Sequence, residues 1–172
     1  MLKNLSLIFV LLAAALLQMS FVGYISIFGA VPNLLFIAFF IIIFLEKQDE
    51  YYRGFLEVIT AGFLLDVVTA SYFGIAITAL LAVYLFKKAV FYFIRDIQDA
   101  YLILYFLPLF ISSLLVYDAI VYGFSLLLDF NMSFSWVWMV ALWYNAIVAT
   151  VMFYLYQATY RETSSNQLSL FQ

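Results

Sequence analysis

The chain has 172 residues, of which 69% are hydrophobic and only 10% are charged. A soluble domain is about half apolar and about a quarter charged, so this composition excludes a water-soluble protein and predicts an integral membrane protein. The absence of cysteine and histidine excludes disulfides, thiolate chemistry and the commonest zinc and haem ligands.

Helix 1 is predicted within the apolar run 5–28, which follows Lys3. This run is too long for a signal peptide and continues without a polar mature start. The segment 29–33 ends it, because its proline, Pro32, cannot continue a helix. Helix 2 is predicted over Leu34–Leu45, which is short for a hydrocarbon core that needs about 20 residues. It either begins in the preceding turn or is a half-span sheltered by protein.

Helix 3 is predicted within the stretch from Gly54 to Gly74, with a tight turn at 69–72. At 100° per residue, its small residues share one face with a few aliphatic ones. That face comprises Gly54, Val58, Ala61, Gly62, Leu65 and Thr69, and it is bordered by Glu57 and Asp66. Larger apolar residues cover the opposite face. Because small residues let a second backbone approach, we expect helix 3 in the middle of a bundle.

Three more helices are predicted over Phe73–Phe86 (an extension to Phe93 is left open), Ala100–Leu127 and Phe134–Tyr156. Helix 6 has tryptophans at one end and tyrosines at the other, as in the aromatic belts of membrane proteins. The predicted fold class is therefore all-α, a polytopic protein with six transmembrane helices in one domain, residues 1–160. Residues 161–172 are predicted to form a disordered cytoplasmic tail.

The basic residues fix the predicted orientation. With six spans, all seven Lys and Arg residues lie on one side of the membrane, and the three loops on the other side contain none. Because Lys and Arg are retained in the cytoplasm, both termini are predicted to be cytoplasmic.

Four of the polar residues within the predicted helices are candidates for a site or a structural contact. Glu57 follows Arg53 by one helical turn, so we expect an ion pair between them. Asp66 and Asp118 lie in the outer halves of helices 3 and 5. Either they form a site for a cation, a proton or a partner's basic group, or they reach water at the outer headgroups. Asn145 is expected to form an interhelical hydrogen bond worth about 1 kcal/mol.

No motif for catalysis, phosphate binding or metal binding is present in the sequence. We therefore expect no enzyme activity, no catalytic residues, no cofactor and no metal, and we expect no nucleic-acid partner.

Several glycines and one acid recur in a pattern that spans helices 2 to 4. Pro32-Asn33 precedes an apolar helix and a charged loop, and Gly62-Phe63-Leu64-Leu65-Asp66 and Gly74 follow. This region, from Pro32 to Leu85, resembles the MreD family of bacterial rod shape-determining membrane proteins. The family often has a further glycine in helix 3 and an acid after the proline, where this chain has Asn33.

The resemblance implies a non-enzymatic subunit of the cell-elongation machinery in the bacterial cytoplasmic membrane. Its partners would be an MreC-type single-span protein and, directly or indirectly, the MreB-type filament and the peptidoglycan synthases. We expect the face containing Gly54, Ala61, Gly62, Asp66 and Gly74 to pack closely and to organise the interface with the single-span partner.

The resemblance also implies the six-helix fold of the substrate-binding subunits of energy-coupling-factor transporters. The alternative function is therefore a vitamin-binding transporter subunit. Such subunits usually dock through an Ala-x-x-x-Ala pattern in helix 1, and the alanines at 13–15 have no alanine four residues further on.

The topology gives a first testable prediction. Reporters fused to either terminus should be cytoplasmic, and a cysteine introduced at Asn131 should react with an impermeant reagent from outside, because the basic residues hold the other loops inside. Cysteine accessibility in intact cells measures this. Termini on opposite sides of the membrane would contradict the six-span prediction.

Overall fold

The computed structural model of the chain describes residues 2–20, 22–46, 51–69, 72–93, 102–128 and 136–169. These residues form six α-helices, which confirms the all-α class. They are α1 (Leu2–Ser20), α2 (Leu34–Leu45), α3 (Tyr51–Thr69), α4 (Ile75–Phe93), α5 (Leu102–Leu127) and α6 (Trp136–Ser169), with a short 3-10 helix over Val22–Ile25.

The chain leaves α1 at Ser20, earlier than the apolar run suggests. It makes a tight turn further on, in which Ile27 and Ala30 exchange two backbone hydrogen bonds of 2.9 Å. Phe28 and Gly29 occupy the turn with φ angles of 52° and 81°. This left-handed conformation favours glycine, and it redirects the chain towards α2.

The other boundaries are close to the predicted ones, with one exception. Helix α2 has the predicted bounds, and α4 includes the extension to Phe93. Helix α6, however, continues to Ser169, through most of the segment predicted as a disordered tail. That segment contains neither glycine nor proline, the residues that most strongly end a helix.

Three helical segments in the described ranges are long and apolar enough to cross a membrane: Ile75–Phe93, Leu104–Leu127 and Trp136–Thr159. Helices α1, α3, α4, α5 and α6 all expose large apolar side chains, among them Phe9, Phe63, Leu85, Leu115 and Ile147. A soluble monomer rarely exposes so much apolar surface. The helices therefore indicate a membrane protein, and the number of six spans stays a prediction.

The centre of the bundle is α2, and not α3 as we predicted. Nine of its twelve residues are buried, and none of its large apolar side chains is exposed. Phe36, Phe40 and Phe44 form a ladder along one side of α2. Their rings pack at centroid distances of 5.0–5.8 Å against rings from α4, α5 and α6, namely Phe91, Phe106, Phe110, Tyr117 and Phe153.

Helix α2 is also short. Twelve residues span about 18 Å, little more than half of a hydrocarbon core of about 30 Å. The burial of α2 among the other helices agrees with the alternative of a short helix sheltered by protein, and its extent across a membrane stays a prediction.

The small-residue face of α3 packs against α4. A Cβ atom placed on Gly62 would lie 2.6 Å from the Cα atom of Ile77, and one on Gly54 would lie 2.3 Å from the ring of Tyr84. Only glycine permits this approach of the two helices. The opposite face of α3 is exposed at Ile59, Phe63 and Val67.

A second prediction tests this close approach. Gly62→Ala should destabilise the protein by about 1–3 kcal/mol, because the added methyl group meets the backbone of α4 and forces α3 and α4 apart. Gly123→Ala is the matched control, since a Cβ atom there has no neighbour within 4 Å. Thermal unfolding of both variants in the same detergent measures the effect. Equal melting temperatures would contradict the packing described here.

Candidate functional site

Asp66 closes the hairpin between α3 and α4. It is only 3% exposed, and its two carboxylate oxygens accept hydrogen bonds from the backbone N–H groups of Gly74 and Ala76, at 2.7 and 2.8 Å. Gly74 immediately precedes α4 and Ala76 lies in its first turn, where the helix dipole favours a negative charge. Asp66 therefore caps the next helix in the chain.

The backbone conformation at position 74 favours glycine. Its φ angle is +103°, which L side chains rarely adopt. This conformation lets the chain enter α4 with the N–H of Gly74 directed at Asp66. Gly62 and Asp66, one turn apart, thus hold the same helix, α4, through packing and through hydrogen bonding.

The face of α3 that was predicted to bind a partner is consequently packed against α4 of the same chain. Gly54 and Gly62 contact α4, Ala61 is fully buried, and Asp66 is bonded to the start of α4. The packing role predicted for these residues corresponds to the α3–α4 interface. Their predicted role in binding a partner stays a prediction, and the structure gives this face a different occupant.

Three side-chain amides meet at the N-terminus of α2. Asn33 accepts a hydrogen bond from the N–H of Phe36, at 3.0 Å, as an N-cap residue does. Gln18 of α1 accepts one from the N–H of Leu35, at 2.9 Å. Asn145 of α6 accepts one from the N–H of Asn33, at 2.7 Å, which confirms its predicted interhelical role.

Pro32 is buried immediately before this network. As a proline it has no N–H group, so it adds no further donor to a helix end that lies inside the bundle. The Pro-Asn pair of the sequence pattern therefore starts the central helix with its first N–H groups paired to side chains.

The other end of α2 lies in a cluster of charged residues. The amino group of Lys87, a residue that is 1% exposed, lies 3.5 Å from the backbone carbonyl oxygen of Glu46 and 4.0 Å from its carboxylate. A cation at the C-terminus of α2 also interacts favourably with the negative end of its helix dipole. Beside it, Arg53 and Glu57 form the predicted ion pair, at 3.1 Å.

The Glu46 side chain is as buried as that of Lys87. Neither of its carboxylate oxygens accepts a hydrogen bond from the described residues. Burial raises the pKa of the Glu46 carboxyl above its ordinary value, and the positive charge of Lys87 opposes that shift. The burial of Lys87 is not predicted from the sequence, because a lysine near a helix end usually reaches water.

A groove of about 310 Å³ runs along the flank of the bundle between α5 and α6. It contains Asp118 and two aromatic residues, Tyr122 and Trp138, whose rings meet edge to face at a centroid distance of 6.1 Å. The rest of its wall is apolar and comprises Leu115, Ala119, Met139 and Leu142. None of the described residues donates a hydrogen bond to Asp118.

A second cavity, of about 480 Å³, opens between α1 and α6 with α2 as its floor. Its wall is apolar over most of its length, and Glu46, Arg53 and Tyr156 line it as well. In the described residues, no cluster of three or more acids has the geometry of a metal site.

No model of a known protein family matches the chain, and no curated protein or solved structure is significantly similar to it.

A third prediction concerns Asp66. Asp66→Leu should destabilise the protein by about 1–3 kcal/mol, because it leaves two buried N–H groups at the start of α4 without an acceptor. Asp66→Asn keeps one acceptor oxygen and should lose less. Thr60→Val is the control, since it removes a hydrogen bond within α3 only.

Thermal unfolding and amide hydrogen exchange at the start of α4 measure these effects. If Asp66→Leu leaves both unchanged, Asp66 is not the cap of α4.

Proposed function

We propose that this protein is a non-enzymatic integral membrane subunit of the bacterial cell-elongation complex. In this role it scaffolds an MreC-type single-span protein and connects the MreB-type filament to peptidoglycan synthesis. It resides in the cytoplasmic membrane with both termini in the cytoplasm, and its six helices share the fold of energy-coupling-factor substrate-binding subunits.

One observation carries the proposal. The residues on which the resemblance to the MreD family rests, Asn33, Gly62, Asp66 and Gly74, all take part in holding helices together. Their polar atoms bond to backbone groups of the same chain. Each of these residues therefore has a structural role in the bundle, as a non-enzymatic scaffold requires.

The distribution of charge supports the orientation. Arg53 of α3 and Lys87 of α4 meet at the same end of the bundle, around Glu46. Basic residues from separate helices that gather at one end favour a cytoplasmic placement of that end. A cytoplasmic face of this kind is also where a filament would approach.

The 480 Å³ cavity supports a second candidate function, that of a vitamin-binding subunit of a transporter. Its volume lies within the range of about 300–1,000 Å³ that is usual for small-molecule sites. Ile42 and Leu45 on its floor belong to α2, so a ligand there would contact the central helix.

The fourth prediction separates the two candidates. Purified in mild detergent after co-expression, the protein should retain an MreC-type partner encoded in the same genome and should not retain an unrelated single-span protein. A screen of vitamins should leave its melting temperature unchanged, whereas a bound vitamin at a hundredfold excess over Kd would stabilise it by about 2.7 kcal/mol.

Loss of the protein should make rod-shaped cells round, and the wild-type chain should restore the rods. A vitamin that stabilises the protein, together with no retained partner, would replace the scaffold function with the transporter function.

A further inference from the structure

Asp118, which is half-buried, differs in its surroundings from the two buried acids Asp66 and Glu57. Asp66 is bonded to the start of α4 and Glu57 is paired with Arg53. Asp118 has no hydrogen-bond donor among the described residues, and it faces a groove that is open on the flank of the bundle. Acids in membrane helices almost always face protein and pair with another group. Among the described residues, the Asp118 carboxylate lacks such a partner.

The depth of Asp118 makes water an unsuitable partner. It lies nine residues before the end of the apolar span Leu104–Leu127, which is about 14 Å along the helix. A span centred in a core of about 30 Å places it about 10 Å below the boundary. An aspartate side chain is too short to cover that distance.

The chemistry of the groove favours a cation. Tyr122 and Trp138 line the same groove as Asp118, and aromatic faces attract ammonium and guanidinium groups. A second copy of this chain in the same orientation does not supply one at this depth, because the predicted topology places all seven of its Lys and Arg residues towards the opposite side of the membrane. The cation must therefore come from a different protein.

We infer that the groove between α5 and α6 is the docking surface for a transmembrane helix of a partner protein, which places a lysine or arginine side chain against Asp118. The groove has the size of a side chain rather than of a helix: about 310 Å³ holds only about one turn or less of a helix that is 10–12 Å wide. The partner helix lies across the exposed residues Leu115 and Met139 and inserts the basic side chain between them. That this partner is the single-span subunit rests on the proposed function.

Photo-crosslinking of the full-length chain in membranes tests the surface without disturbing Asp118. A benzophenone amino acid is introduced at Leu115 or Met139 in the groove, and at Phe63 on the exposed face of α3 as a control. With the MreC-type protein co-expressed, the two groove positions should crosslink to its transmembrane segment at least fivefold more than Phe63 does.

Substitution tests the charge. Asp118→Asn should weaken the retained complex about tenfold, which corresponds to about 1.4 kcal/mol, whereas Asp118→Glu should retain most of it. Glu57→Gln is the matched control, since it removes an acid that is already paired within the chain. Equal retention by Asp118→Asn and the wild type would overturn the ion pair.

The remaining outcomes separate this inference from the proposed function. Partner crosslinks from Phe63 and not from the groove would overturn the inference and leave the scaffold function standing. Groove crosslinks to lipid only, or to a second copy of the chain, would also overturn it. If the wild-type chain retains no MreC-type protein at all, the proposed function fails, and the inference fails with it.

Discussion

The fold depends on one constraint: α2 is a short apolar helix that begins and ends inside the bundle. A backbone group that is buried away from water must find a hydrogen-bond partner within the protein. Gln18, Asn33 and Asn145 supply acceptors at the N-terminus of α2, and Lys87 supplies a cation at its C-terminus. Helices α1, α4 and α6 are therefore held to α2 by its ends as well as by its sides.

The α3–α4 hairpin repeats this arrangement on a smaller scale. Lipid gives no hydrophobic driving force between helices, so close packing and polar contacts must provide it. Gly62 supplies the close packing and Asp66 the polar contacts, one turn apart on the same helix. The hairpin in turn brings Lys87 on α4 to Glu46, so the position of α4 also determines the charged end of α2.

The sequence predicts the helices well and their arrangement less well. The bounds of α2 and the small face of α3 follow from local signals, a proline before the helix and the spacing of glycines. The central position of α2 does not, because lipid-facing and protein-facing residues are equally apolar in a membrane and the usual one-sided pattern is lost. The contact between Asn33 and Asn145 joins positions 112 residues apart, and the burial of Lys87 follows from a contact 41 residues away. Neither contact leaves a pattern in the residues that surround it in the sequence.

Asp66 and Asp118 give nearly the same signal in the sequence, an acid in the outer half of a predicted span, and yet their surroundings differ. Asp66 lies beside the first turn of α4, where backbone N–H groups have no partner within their own helix. Asp118 lies beside the middle of its helix and the flank of α6, where the backbone N–H groups are already bonded within the helices. An acid there can be satisfied only by a side chain, and the described residues provide none. The position of an acid relative to helix ends therefore decides whether it stabilises the fold or stays available to another protein.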